Sequence, residues 1–165
     1  KGALTSLNMS KNAMLTKQAG KALGDMLKAN SVLKELDVSS NYDYDNRATD
    51  GAGFAWGIAD GVSTNGALMS LNVGNNQLCG HWKTPDFSGY QALVAAIEAH
   101  KLLTMDAVNM AEELGVSGQK LGAQGAKTMA TFIKNNGAVT SLDISKNGIK
   151  AEGAKHIAAA IPECK

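Results

Sequence analysis

Apolar positions along this chain fall into two patterns that take turns. The first is L-x-x-L-x-Φ-x-x-N, with Φ apolar. It appears as Leu4, Leu7, Met9, Asn12; as Leu33, Leu36, Val38, Asn41; as Leu68, Leu71, Val73, Asn76; and as Val139, Leu142, Ile144, Asn147. Its last two apolar positions are separated by one polar residue, the period of a strand with a single buried face. Residues 2–12 (GALTSLNMSKN) and 137–147 (GAVTSLDISKN) nearly duplicate each other. A degraded fifth copy reads Leu102, Met105, Ala107, with Met110 where the others carry Asn. It predicts an irregular turn after Ala107.

After each strand phrase comes a trio at steps of four: Ala19, Leu23, Leu27; Phe54, Ile58, Val62; Gly89, Leu93, Ile97; Gly125, Met129, Ile133; Gly153, Ile157, Ile161. That spacing puts each trio on one stripe of a helix, which must be buried against a neighbour. Small residues head every trio except the one led by Phe54, which predicts close approach of helix to backbone. A strand, a helical crossover and a parallel strand wind right-handedly, and stacking such units buries one continuous core. The expectation is a single domain over residues 1–165, with repeats at about 2–30, 31–65, 66–100, 101–136 and 137–162.

With its strand phrases and helix columns in register, the chain resembles a leucine-rich repeat protein of the ribonuclease-inhibitor-like subfamily, over essentially residues 2–161. The resemblance implies an α/β solenoid, a horseshoe with a parallel β-sheet on its concave side and α-helices on its convex side. It also gives Asn12, Asn41, Asn76 and Asn147 a structural role, each amide turning inward to satisfy backbone groups after its strand.

Function is expected where the repeats differ. From the last strand position to the middle of the trio the distances are 14 (Met9 to Leu23), 20 (Val38 to Ile58), 20 (Val73 to Leu93), 22 (Ala107 to Met129) and 13 (Ile144 to Ile157). Helix-to-strand distances stay at 8 or 9. All the added length therefore falls in the strand-to-helix connections of the middle repeats, which share one rim. The first two of these connections carry Tyr42, Tyr44, Arg47, His81, Trp82 and Phe87, residue types that dominate energetic anchors at interfaces. The alternative is that these aromatics pack beneath their own loops. On the helix side, Lys21, Gln91, Lys127 and Lys155 share a column with Trp56, which reads either as a contact residue or as a lid over an insertion. On the sheet face, Asn8, Asp37, Asn72, Asp106 and Asp143 form one ladder and Ser6, Glu35, Ser70, Thr104 and Ser141 the next. Asp37 and Asp106 would make it modestly negative, although a solvated sheet face explains the same residues.

Composition narrows the function classes. A chain of 165 residues, 44% apolar and 19% charged, can bury an ordinary core, and its formal charge of +1 offers no bulk attraction for nucleic acid or anionic membrane. No apolar run approaches the roughly 20 residues needed to cross a bilayer. Cys79 and Cys164 lack ligand-like spacing and suit free thiols in a reducing, cytoplasmic compartment. The chain opens at Lys1 rather than at a methionine, leaving room for a longer parent protein.

Catalytic and metal chemistry find little support. Asn41, Asp43, Asp45, Asn46 and Asp50 crowd oxygen atoms into one connection, but the turn glycine and bidentate glutamate of a helix-loop-helix calcium site are missing. His81, His100 and His156 lie in separate repeats, and GVSGQKLGAQGAK lacks the ending of a phosphate loop. The reading is a non-enzymatic scaffold that binds another protein and calls for no cofactor, metal or small-molecule substrate. One alternative is a structural subunit of a cytoskeletal or flagellar assembly. Another is a GTPase-activating protein, a resemblance in which Arg47 would stabilise charge.

Overall fold

The computed structural model describes residues 3–42, 49–81, 83–110, 112–115, 121–135 and 139–163. They fall in two compact units: residues 1–80 with 86–110, and residues 81–85 with 111–165.

In the first unit, three short strands, β1 (Ser6–Asn8), β2 (Glu35–Asp37) and β3 (Ser70–Asn72), run parallel in the register Leu7, Leu36, Leu71. Between them stand helices α1 (Lys17–Ala29) and α2 (Gly51–Val62), and α3 (Ser88–Ala99) follows β3. The connection before α3 also holds a two-residue pair, β4 (Gly80–His81) with β5 (Thr84–Pro85), whose residues 81–85 group with the second unit. Leu36, Val38, Leu71 and Val73 face Leu27, Phe54, Ile58, Val62, Leu93 and Ile97, all essentially inaccessible to solvent. Polar side chains start the helices: the Thr16 hydroxyl accepts the Ala19 N–H at 3.1 Å and the Asp50 carboxylate accepts that of Gly53 at 2.7 Å.

Each strand leaves through the same turn. Lys11, Ser40, Asn75 and Lys146, each just before a phrase asparagine, have φ between 54° and 59°. That left-handed residue turns the asparagine side chain inward. The Asn41 amide donates to the carbonyls of Val38 (2.7 Å), Met9 (3.1 Å) and Ser39 (3.3 Å), while its Oδ1 accepts the Asn12 N–H at 2.7 Å. Asn76 repeats the pattern one rung on: it donates to Val73 and Val38, and its Oδ1 accepts the Asn41 N–H at 2.7 Å. Asn147 reaches Ile144 and Ser145 in the second unit.

A second ladder lies at the other end of the strands. Asn30 Oδ1 accepts the N–H groups of Val32 and Leu33, and Asn65 Oδ1 those of Ala67 and Leu68; His100 Nδ1 does the same for Leu102 (3.1 Å) and Leu103 (2.7 Å). The Asn65 amide also donates back to Leu27 and Asn30 at 2.7 and 2.8 Å. Among the described residues, His100 Nε2 is buried without a hydrogen-bond partner.

Two glycine pairs bring α1 and α2 together. A Cβ on Gly24 would lie 2.0 Å from the Gly57 carbonyl oxygen, and one on Gly57 would lie 2.1 Å from the Gly20 carbonyl carbon. The helices pack backbone to backbone at residues one and three places beyond the trio heads. At α3 the head itself, Gly89, makes the close approach, to the Ala52 carbonyl.

The fourth repeat takes a different register from the one its spacing predicts. A 3₁₀ turn occupies Met105–Ala107, and the strand is β6 (Val108–Asn109), paired with Leu71 and Asn72. Leu103 is buried while Leu102 is 50% exposed; Met105 is exposed as well. Met110 therefore occupies the inward apolar position and not that of the asparagine. The physical reason is the Leu102–Leu103 doublet: burying Leu103 shifts the phrase, and two extra residues are taken up as the 3₁₀ turn. Asp106 accordingly lies in that turn, and Asn109 takes its place beside Asn72.

In the second unit, β7 (Glu112–Gly115) pairs in parallel with β8 (Val139–Asp143), bringing Leu114 level with Leu142. Helices α4 (Gly122–Asn135) and α5 (Lys150–Ala160) pack through Ala126, Met129, Ile133, Gly153 and Ile157. Ile161, placed in the last trio by spacing, is exposed in a 3₁₀ turn over Ile161–Glu163; Ala160 is buried instead. Pro162 cannot donate a helix hydrogen bond, so the helix tightens and stops. Lys134 pairs with Glu163 beside this turn.

Candidate protein-interaction surface

The first enlarged connection starts and ends on fixed residues. Asn41, at its start, is fully buried in the asparagine ladder. Asp50, at its end, caps α2 with its carboxylate and donates its own N–H to the Leu15 carbonyl at 2.9 Å. Two of the five oxygen-bearing residues in the calcium motif thus already serve the fold. Tyr42 is half-buried. Tyr44 and Arg47, with Asp43, Asp45 and Asn46, lie outside the described residues.

The second connection is seated on Leu78 and Cys79, both buried, and the Asp86 N–H returns to the Cys79 carbonyl at 2.9 Å. Asp86 then accepts the Ser88 N–H at 2.9 Å at the start of α3. Ser88 holds the Asp86 carboxyl below the usual carboxylate range, first through its hydroxyl and second through its N–H. His81 is exposed, and its Nδ1 accepts the Lys83 N–H at 3.2 Å. Partial desolvation, and after it the Lys83 cation, push the imidazole below its ordinary range. Trp82 lies outside the described residues, and Phe87 is half-buried.

Trp56 stands on α2, 52% exposed, and its indole N–H donates to the Ser88 hydroxyl at 3.1 Å. The side chain is therefore both open to solvent and tied to the residue where the second connection ends.

The sheet-face ladder is less acidic than its sequence predicts. In the first unit it consists of Asn8, Asp37, Asn72 and Asn109. Its side chains serve their own turns: Asn8 Oδ1 accepts the Ser10 N–H, Asp37 Oδ1 that of Ser39 at 2.9 Å, and Asn72 Oδ1 that of Gly74. Asp143 does the same for Ser145 in the second unit. These are local side-chain turns that release the strand into its loop. Among the described residues no three His, Cys, Asp or Glu side chains converge as a metal site would need, and no helix is long and apolar enough to cross a membrane.

Parallel strands joined through helices, with one asparagine turn recurring, frame the comparison with known proteins. A family profile described as Leucine Rich repeat matches residues 138–158. The fold is an α/β leucine-rich repeat. Among solved structures, the chain is similar to the tropomodulin C-terminal domain of Caenorhabditis elegans, with 16% identity and a TM-score of 0.44, over 97% of this chain and 83% of that one. It is also similar to a leiomodin-1 fragment named actin-binding site 2, with 18% identity and a TM-score of 0.48, over 96% of this chain and 81% of that one. A search of curated proteins finds no match.

The second polar ladder is written in the sequence, outside the strand phrase that the periodicity picks out. Asn30, Asn65 and His100 recur every 35 residues, each three places before a buried leucine.

Proposed function

We propose that the chain is a non-enzymatic scaffold of the ribonuclease-inhibitor-like subfamily, a single repeat domain that recognises another protein through its enlarged strand-to-helix connections. Tyr42, Tyr44, Arg47, His81 and Trp82 are its anchors. Trp56 is a neighbouring contact. Asp37 and Asp106 are secondary, since the Asp37 carboxylate is already engaged by Ser39.

The observation that carries the reading is the fixing of the first connection at both ends, by the buried Asn41 and by Asp50. Inserted residues leaving a rigid base are a common way to present a binding site, because the scaffold bears the ordering cost before the partner arrives. Large aromatics and arginine on such a base supply anchors that bury much area with few rotatable bonds. With a formal charge of +1, the partner is expected to be neither nucleic acid nor an anionic membrane.

Affinity capture with the wild-type chain against a Tyr44→Ala, Trp82→Ala double variant tests this. The double variant should lose the partner while its circular dichroism stays unchanged. Equal recovery by both would remove the loop anchors from the account. Purified actin can be included as a probe, since it is the partner for which the leiomodin-1 site is named.

A further inference from the structure

We propose that the helix-to-strand rim of the first unit docks an amphipathic helix of a partner protein, one that carries an acidic side chain at each end of its apolar face. This rim lies at the opposite end of the strands from the enlarged connections, and the proposal does not rest on them.

An apolar row runs along the rim. Val32, 42% exposed, Ala67, half-buried, and Leu102, 50% exposed, stand on successive rungs, each immediately before a buried leucine. Met69 on the third rung, 49% exposed, and Met105 on the fourth, 43% exposed, widen it. Single exposed apolar residues are ordinary, but large ones on adjoining rungs about 4.8 Å apart make a contiguous patch of the kind that marks an interaction surface. The centre of the row, Ala67 and Met69, leads into β3, which has a paired strand on each side, β2 and β6. Its exposure therefore does not come from a missing neighbour.

The fold holds this row in place. Asn30 Oδ1 accepts the Val32 N–H at 2.9 Å, Asn65 Oδ1 that of Ala67 at 2.9 Å and His100 Nδ1 that of Leu102 at 3.1 Å. Met69 donates its N–H to the Lys34 carbonyl at 2.8 Å, tying the second rung to the third. The second polar ladder thus fixes the backbone of each residue in the row, and a partner meets a surface that is already ordered.

Charge selects the occupant. Lys34 on the second rung and Lys101 on the fourth are exposed, bracket the apolar row, and make no ion pair among the described residues. Glu35, which follows Lys34, belongs to the sheet-face row with Ser6 and Ser70. Two rungs span about 10 Å and two turns of an α-helix about 11 Å, so carboxylates two turns apart fall within reach of the two flexible lysines. Apolar side chains on the intervening turn would then cover Met69 and Leu102, the helix-in-groove mode of recognition.

Fluorescence anisotropy on the whole chain tests this, with synthetic helical peptides that share a leucine–methionine face and carry two glutamates one, two or three turns apart. The two-turn peptide should bind most tightly, and its counterpart with lysines in place of the glutamates about tenfold more weakly at low salt. Lys34→Glu with Lys101→Glu should reverse that order. Met69→Gln with Leu102→Gln should abolish binding of both peptides. All four positions are exposed, so circular dichroism should stay unchanged. The Tyr44→Ala, Trp82→Ala variant should bind these peptides as wild type does, which separates this rim from the enlarged connections. Three results would each overturn the proposal: no peptide binds, the charge reversal leaves the preference untouched, or sedimentation shows self-association that Met69→Gln prevents, making a second copy the occupant.

Discussion

Asn76 shows how much one side chain carries in this fold. Its amide donates to two strand carbonyls and its Oδ1 accepts the Asn41 N–H, all out of reach of water. Removing a partner from a buried polar group costs about 1–3 kcal/mol for each group stranded. Asn76→Ala is therefore expected to lower stability by roughly 3 kcal/mol, read as a fall in urea midpoint at unchanged m-value. His100 poses the opposite case. Its Nδ1 caps the turn as Asn30 and Asn65 do, but its Nε2 finds no partner where the Asn65 amide reaches two carbonyls. His100→Asn should stabilise the chain by about 1 kcal/mol, a rise in thermal midpoint of a few degrees. A lower midpoint would mean that imidazole packing outweighs the missing bonds.

Among the elements, the helices depend on contacts that periodicity alone does not reveal. The trio at steps of four identifies which stripe of α2 is buried, but the closest approach to α1 is made by Gly57 and Gly61 on a neighbouring stripe. Gly57→Ala would drive a Cβ into the Gly20 backbone, so the gain in helix propensity should be overridden by a loss of about 1–3 kcal/mol. Thermal melting checks the sign. The strands show a related limit. Leu36, Leu71 and Leu142 were legible because each stands alone at its place in the phrase. The fourth strand was not, because Leu102 and Leu103 satisfy adjacent registers and only burial chooses between them. At the start of α3, the depressed Asp86 carboxyl predicts a pH effect. Its contribution is present above the ordinary aspartate value of 3.8 and is lost as pH falls through the lower folded value. Asp86→Asn keeps the oxygen that accepts from Ser88 and removes the titration. Its stability should fall less steeply than wild type in this acid window, as followed by urea midpoints.

For the molecule as a whole, the same strand-turn-helix unit yields two bodies of unequal size. Among the described residues, the first buries Phe54 and fifteen leucine, isoleucine and valine side chains between its strands and three helices; the second relies on Met129, Phe132, Ile133 and Ile157 in two helices. Because the fraction of surface buried rises with size, the smaller body has less to set against its chain entropy. Native-state hydrogen exchange should find amides of α4, α5 and β8 opening at lower free energy than those of α1, α2 and β2. Equal protection throughout would mean that the chain unfolds as one cooperative body. This division was invisible in the repeat pattern, where the phrases of residues 2–12 and 137–147 look interchangeable. A phrase specifies which side chains face inward, whereas the depth of the core depends on how many neighbours stack on each side. The candidate binding surface was legible to a similar degree. Excess length located the connections, and the roles of Asn41 and Asp50 as fixed ends emerged only with their hydrogen bonds. If those ends provide the rigid base, Asp50→Ala should weaken partner capture more than its own loss of about 1 kcal/mol in helix capping would reduce the folded population.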